Sequence, residues 1–251
     1  MVLIKDLLRY SQDILEVDRF NDYCPNGLQV EGREEISKIV SGVTASQALI
    51  DAAIEEKADL LLVHHGYFWK GEDARLIGLK YQRVRRLIEA GINLVAYHLP
   101  LDAHPLYGNN AQLSEKLSFE VMGRFPDDNA AVGMHGKLET PLTAKEFSVH
   151  INKVLGREPL HIGDQSVTIN TLAWCSGAAQ GYIEQAAAMG VDAYLTGEVS
   201  EQTVHIAREC GIQFYAAGHH ATERYGVKAL AEHLAAHFEL NHTFIDIDNP
   251  V

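Results

Sequence analysis

The chain has 251 residues, with 21 basic and 34 acidic side chains and a formal net charge of −13 at neutral pH. This charge disfavours non-specific binding to DNA or RNA, because phosphates would meet a repelling field instead of a basic face. No run approaches the roughly 18 apolar residues of a transmembrane helix, so no membrane partner is expected. The cysteines follow no pairing pattern, and the N-terminus lacks a basic region and a cleavage site, which favours a cytoplasmic protein.

Apolar runs of strand length alternate with helical segments, which predicts an α/β fold on a largely parallel sheet. In the first half the pattern predicts helices over 2–17, 46–57 and 78–90, and strands over 38–42, 60–63 and 93–97. A middle segment, 126–165, contains a predicted strand at 131–138 and a helix opened by a capping box of Thr143 and Glu146.

The second half repeats the first in outline, which predicts two similar α/β lobes, residues 1–125 and 126–251. The matching stretches are Ser41-Gly42 with Ser176-Gly177 at an offset of 135, Ala58-Asp59-Leu60 with Val191-Asp192-Ala193 at 133, and Ala90-Gly91-Ile92-Asn93 with Cys210-Gly211-Ile212-Gln213 at 120. An internal duplication and the generic likeness of βαβ units both explain this repeat. In either case polar residues follow the strands, at the carboxyl edge where open α/β sheets bind ligands.

Two neighbouring histidines, His64 and His65, end the first apolar strand and are followed by Gly66. Adjacent strand residues point to opposite faces, so these two side chains can converge only where the strand ends. Glycine permits the turn that this requires. The alternative is one core histidine beside one surface histidine.

Two further strand ends carry the same residue types. Asp102 follows His98 by four residues, although an isolated aspartate there is also typical of a turn or helix cap. His219 and Glu223 share one face of a predicted helix start, where glutamate is also favoured by the helix dipole. Together the three strand ends offer five candidate metal ligands. This number suits two divalent ions that share a carboxylate, and the absence of thiolates favours Zn, Mn or Fe.

Six stretches resemble the Nif-three-like family, whose members are commonly labelled GTP cyclohydrolase I type 2 homologues: CPNGLQVEG (24–32), GVTAS (42–46), LLVHHGYFWKG (61–71), HLPLDAH (98–104), LTGEVSEQ (195–202) and AAGHHATE (216–223). The resemblance implies a two-lobed α/β fold with a dinuclear metal centre between the lobes, at the carboxyl ends of strands. It implies that the ligands are His64, His65, Asp102, His219 and Glu223, and we expect Glu223 to bridge the ions. It also implies a ring-shaped homohexamer with its sites facing an internal cavity.

Four more residues are candidates for catalysis and substrate binding. His98 is the best candidate for general acid–base catalysis, and its alternative role is to orient a metal ligand. Glu198 is a candidate for the same two roles. Trp69 and Lys70 follow the histidine pair and could stack a heterocycle and neutralise an anion, whereas we expect Phe68 to be a packing residue.

These residues predict a metal-dependent hydrolase of a nucleotide, pterin-like or related small heterocyclic or anionic substrate. One alternative is a GTP cyclohydrolase that opens the ring and releases formate. The other is a non-catalytic scaffold or metal carrier.

Overall fold

In the computed structural model, residues 1–126 and 131–251 are described. Residues 127–130, within the predicted 126–165 segment, lie outside the described residues. The helices and strands, in chain order, are β1 (Val2–Leu3), α1 (Ile4–Leu15), β2 (Gly27–Val30), β3 (Glu35–Ile36), β4 (Lys38–Thr44), α2 (Gln47–Glu55), β5 (Leu60–His65), α3 (Gly78–Ala90), β6 (Asn93–Ala96), α4 (Leu99–Ala103), α5 (Asn109–Leu117), β7 (Phe119–Phe125), β8 (Gly133–Thr143), α6 (Ala144–Leu155), β9 (Leu160–Ile162), β10 (Thr168–Cys175), α7 (Ile183–Met189), β11 (Ala193–Thr196), α8 (Glu201–Cys210), β12 (Gln213–Ala216), α9 (His219–Phe238) and β13 (Asn241–Phe244).

The described residues form two compact units. The first unit comprises 1–101 and 226–248, and the second comprises the described part of 102–225 with 249–251. These units do not follow the predicted lobes at 1–125 and 126–251. The C-terminal strand β13 pairs with β4 in the first unit, and α5 packs on β7 in the second.

The first unit is built on a five-stranded sheet in the order β13-β4-β5-β6-β2. Its strands are parallel except β2, which runs antiparallel to β6. Leu61 and Val63 of β5 are fully buried, because they pack against residues of helices α2 and α3 in the core of this unit. Helix α3 has the predicted bounds, and it ends at Gly91, whose φ of +64° is left-handed.

The second unit is built on a six-stranded sheet in the order β7-β8-β10-β11-β12-β9. Among its neighbouring strands only the pairs β10–β11 and β11–β12 are parallel, so this sheet is more mixed than the largely parallel sheet that the sequence predicts. The predicted strand at 131–138 extends further, to Thr143, and the capping box of Thr143 and Glu146 is confirmed at the start of α6. Within the described part of the chain, no helix combines the length and apolar character needed to cross a bilayer.

Each unit contains an aspartate that anchors its central strands. Asp59 accepts hydrogen bonds from the backbone N–H groups of 37–38, and Asp192 accepts them from those of 170–171. Each aspartate also accepts a hydrogen bond from the hydroxyl group of one of these residues, Ser37 for Asp59 and Thr171 for Asp192. The predicted offset of 133 residues therefore relates two chemically equivalent positions.

Strand register gives the same offset for the first strand of each repeat. Ile39 pairs with Leu60 in the first unit, and Leu172 pairs with Ala193 in the second. Both members of the second pair lie 133 residues after their counterparts, so β4 and β10 are not related by the offset of 135 predicted from Ser41-Gly42 and Ser176-Gly177.

Candidate metal site

Three histidines of the first unit gather at the ends of two neighbouring strands. His64 and His65 end β5, and His98 follows β6 after one residue. The His98 ring lies 5.1 Å from the His64 ring and 5.7 Å from the His65 ring, centroid to centroid. One ligand nitrogen of each of the three lies within 4.8 Å of the others, which is close enough to hold a metal ion.

The hydrogen bonds of two of these rings place their protons. His64 Nδ1 lies 2.9 Å from the carbonyl oxygen of Tyr97, which can only accept, so Nδ1 carries the proton. His98 Nδ1 lies 2.7 Å from Asp22 Oδ1, and the pKa of Asp22 is lowered, so this carboxylate also accepts. In both rings Nε2 then has the lone pair, which is the arrangement of metal-ligating and acid–base histidines.

The turn after the histidine pair depends on Gly66. A Cβ at this position would overlap the side-chain amide of Gln29, whose oxygen accepts a hydrogen bond of 2.7 Å from Tyr67 N. Tyr67 itself is buried and packs in the core of the first unit. The close approach of Gln29 therefore explains the glycine in the His-His-Gly sequence.

The aromatic residues after this turn differ in their surroundings. Trp69 is half-buried, and its ring meets the His98 ring edge-on, with 5.0 Å between centroids. The indole Nε1 donates to the Gly66 carbonyl oxygen at 3.2 Å. Lys70 is exposed, whereas Phe68 packs against the core of the first unit, as predicted.

Asp102 of the second unit lies in α4 and is 6% exposed. Asn109 Nδ2 donates to its Oδ1 at 2.8 Å, and Ser176 Oγ donates to the same oxygen at 3.2 Å. These two hydrogen bonds hold the carboxylate in place.

His219 and Glu223 occupy the first turns of α9, four residues apart as predicted. His219 Nε2 lies 3.1 Å from Glu223 Oε2, and His219 Nδ1 lies 2.7 Å from Glu198 Oε1. Burial lowers the pKa of His219, but the two carboxylates outweigh it and raise the pKa to about 9. Glu198 thus contacts the predicted ligand His219. This contact is the one expected if Glu198 orients a metal ligand and does not act as an acid–base group.

The turn after β10 shapes the space around Glu223. Gly177 has a left-handed φ of +67°, and a Cβ there would overlap Glu223 Oε1 and lie 3.2 Å from His219 Nε2. Gly177 N donates to Thr222 Oγ1 at 3.0 Å, which ties the turn to α9. Cys175, just before this turn, is buried, and burial with the charges of Asp102 and Glu223 raises the pKa of its thiol. It is therefore not an activated nucleophile.

The five predicted ligands are divided between the units. His64 and His65 belong to the first unit, and Asp102, His219 and Glu223 belong to the second. Each lies at the carboxyl end of a strand or in the helix that follows it, as predicted. A shared centre between lobes, with Glu223 as the bridge, stays a prediction.

The sequence did not identify several partners of these residues. Asp22, Asn109 and Ser176 contact candidate site residues. Asp22 and Ser176 are more than 70 residues from His98 and Asp102, whereas Asn109 is seven residues from Asp102. The motif CPNG at 24–27, close to Asp22, is the feature of the sequence that could have drawn attention to this loop.

The side chains of the first-unit histidines, and those of Asp102, His219 and Glu223 in the second unit, suit a divalent metal ion. Imidazole nitrogens and carboxylate oxygens are the ligands of Zn, Mn and Fe sites. Gly177 allows the Glu223 carboxylate to lie against the turn, because a Cβ at this position would overlap Glu223 Oε1.

Known proteins resemble the whole chain. The family model described as Duf34/NIF3 (NGG1p interacting factor 3) matches residues 2–250. Proteins named GTP cyclohydrolase 1 type 2 homolog from Allochromatium vinosum and Pseudomonas aeruginosa are each 55% identical over 250 residues, covering 100% and 99% of this chain and 98% and 99% of their own. The solved structure of protein ybgI, of unknown function, is 49% identical with a TM-score of 0.96, and that of TTHA1606 from Thermus thermophilus is 32% identical with a TM-score of 0.91. Both alignments cover 100% of each chain. The chain therefore belongs to the Duf34/NIF3 family.

Proposed function

We propose that the chain is a metal-dependent hydrolase that binds two divalent ions, Zn, Mn or Fe. Its substrate is a nucleotide, a pterin-like compound or a related small heterocycle or anion. The observation that carries the proposal is the group of His64, His65 and His98, whose ligand nitrogens lie within 4.8 Å of one another. Three converging imidazoles at one sheet edge are uncommon unless they serve a metal or proton transfer.

We assign the two ions to the five predicted ligands, which are His64 and His65 of the first unit and Asp102, His219 and Glu223 of the second. Bound divalent ions polarise the group under attack and lower the pKa of water. The chain contributes ligands whose orientation is held before the metal arrives: His64 by the Tyr97 carbonyl and Asp102 by Asn109 and Ser176.

His98 moves the proton in this scheme. Its Nδ1 is occupied by Asp22, so it takes or returns a proton at Nε2. Glu198 orients His219 through Nδ1, which we prefer to its acid–base alternative because the two groups are already hydrogen-bonded at 2.7 Å.

Substrate contacts are assigned to the aromatic turn. Trp69 lies edge-on to His98 and is only half-buried, so one part of its ring can stack on a heterocycle. Lys70 is exposed next to it and supplies a cation for an anionic group.

A second candidate, GTP cyclohydrolase activity, is favoured by the names of the relatives that are 55% identical. A third, a scaffold or metal carrier, would need the same metal ligands but no proton-transfer residue. The ring-shaped hexamer and the cytoplasmic location stay predictions, and light scattering on the purified protein tests the first of them.

Product release from metal-loaded protein tests these candidates. The protein is loaded separately with Mn, Zn and Fe and assayed on phosphoesters, nucleotides, pterins and GTP. We expect turnover that Asp102→Ala and Glu223→Ala abolish, whereas Glu232→Ala, an exposed glutamate of the same helix α9, keeps it. Formate release from GTP selects the cyclohydrolase. Full metal content without turnover of any substrate contradicts hydrolysis and supports the carrier.

A further inference from the structure

The Asp22 carboxylate is a buried charge that none of the predicted roles uses. Its side chain is 2% exposed and lies in the loop between α1 and β2. Burying a carboxylate is costly unless its oxygens receive hydrogen bonds. The partners of these oxygens therefore show what the residue does.

Four donors surround the two oxygens. Oδ1 accepts from His98 Nδ1 at 2.7 Å and from Tyr23 N at 2.6 Å. Oδ2 accepts from Asn26 Nδ2 at 2.8 Å and from Leu99 N at 2.9 Å. Burial raises the pKa of Asp22, but these bonds, led by the one from His98, outweigh it and leave the pKa below its usual value.

The same loop also holds the backbone on which His98 stands. Asn26 Oδ1 accepts a hydrogen bond of 2.8 Å from His98 N, and Asp22 accepts from the next backbone N–H, that of Leu99. Ring and backbone of His98 are thus held from one loop. The lone pairs of both Asp22 oxygens are engaged by hydrogen bonds, two to each oxygen, which disfavours Asp22 as a metal ligand.

We infer that Asp22 is a positioning residue that keeps the proton of His98 on Nδ1, so that Nε2 carries the lone pair beside His64 and His65. An ionised carboxylate can only accept, so the donor of this bond must be the ring. The hydrogen bond to Asp22 also stops the His98 ring from rotating. The inference rests on the proposed function for its consequence in turnover, but the tautomer itself does not depend on it.

Replacing Asp22 with asparagine tests whether Asp22 sets the tautomer of His98. In Asp22→Asn, one oxygen becomes an NH2 group that faces two of the four donors. His98 is the one partner that can change from donor to acceptor without giving up another bond, because it can move its proton to Nε2. We therefore expect the substitution to reverse the tautomer of His98.

The direct readout is 15N NMR of histidine-labelled, metal-free protein, with the His98 signals assigned by their loss in His98→Gln. We expect the proton on Nδ1 in the wild type and in Asp18→Asn, a control with the same chemical change at an exposed aspartate of the preceding turn. We expect it on Nε2 in Asp22→Asn. A wild-type proton on Nε2 overturns the inference, and this result needs neither metal nor turnover.

Turnover by the metal-loaded protein gives the second readout. We expect Asp22→Asn to lower kcat about 10- to 100-fold in the wild type and less than about 3-fold in a His98→Gln background. Equal losses in both backgrounds would mean that Asp22 only supports the loop, and would overturn the inference. If no substrate is hydrolysed, the proposed function fails while the tautomer measurement still decides the role of Asp22.

Discussion

Replacing Gly177 with alanine should disturb the candidate metal site far more than the fold. Gly177 follows β10 with a left-handed φ of +67°, and an added Cβ would overlap Glu223 Oε1. Glu223 is 3% exposed, so its carboxylate has little room to withdraw. The carboxylate must therefore shift, which disturbs its contact of 3.1 Å with His219 Nε2.

The cost of the backbone conformation can be separated from the cost of the overlap. Alanine in a left-handed conformation costs about 1–2 kcal/mol, and in a chain of this size each kcal/mol lowers Tm by about 2–4 °C. Gly211→Ala is the matched control, because Gly211 has a φ of +72° in the same unit and a Cβ there would meet nothing within 4 Å. Both variants should lose similar backbone stability, while only Gly177→Ala displaces a predicted ligand.

The assay compares Tm of the metal-free variants and their metal content after loading with Zn or Mn. We expect both variants to melt a few degrees below wild type, Gly211→Ala to keep its metal, and Gly177→Ala to lose about one ion per chain. Wild-type metal content in Gly177→Ala, or equal loss in both variants, would show that the overlap with Glu223 does not control metal binding.

Three further predictions follow from single contacts. Asp192→Asn should lower the free energy of unfolding by about 2 kcal/mol at pH 7, because two backbone N–H groups lose a charged acceptor. Burial raises the pKa of Asp192 and its hydrogen bonds outweigh this, so the stabilisation is present above the ordinary value of 3.8 and is lost as the pH falls through the lowered pKa. Urea unfolding from pH 7 to pH 3 should therefore show a flatter acid dependence in the variant, and an unchanged profile would contradict this. Glu198→Gln should weaken metal binding about 10- to 100-fold through His219, measured by competition with a chelator, whereas an unchanged Kd with reduced kcat would favour the acid–base alternative. Trp69→Ala should raise KM for a heterocyclic substrate about tenfold with little change in kcat, while Trp69→Phe keeps most of the affinity; a fall in kcat alone would argue against stacking.

Local patterns predicted the central strands and the residues at their ends. The buried run before His64 marks β5, and Gly91 marks the end of α3, because burial and left-handed backbone leave direct signals in neighbouring residues. The capping box of Thr143 and Glu146 is local in the same way. Positions that depend on contacts within a few residues could thus be read from the sequence.

Contacts across long stretches of chain could not be predicted in this way. Asp22 lies 76 residues from His98, and Ser176 lies 74 residues from Asp102, so no spacing rule connects them. The antiparallel strand β7 was also missed, because most of its residues are not buried and its apolar pattern is weak.

The number of metal ions bound per chain decides whether the proposed sites exist. The protein is loaded with Zn or Mn, passed through a desalting column and measured by elemental analysis, beside His64→Ala and Glu223→Ala. The proposed sites predict close to two ions per chain in the wild type and a loss of metal in each variant. Wild-type protein that retains no metal, or variants that retain as much as wild type, would contradict the account.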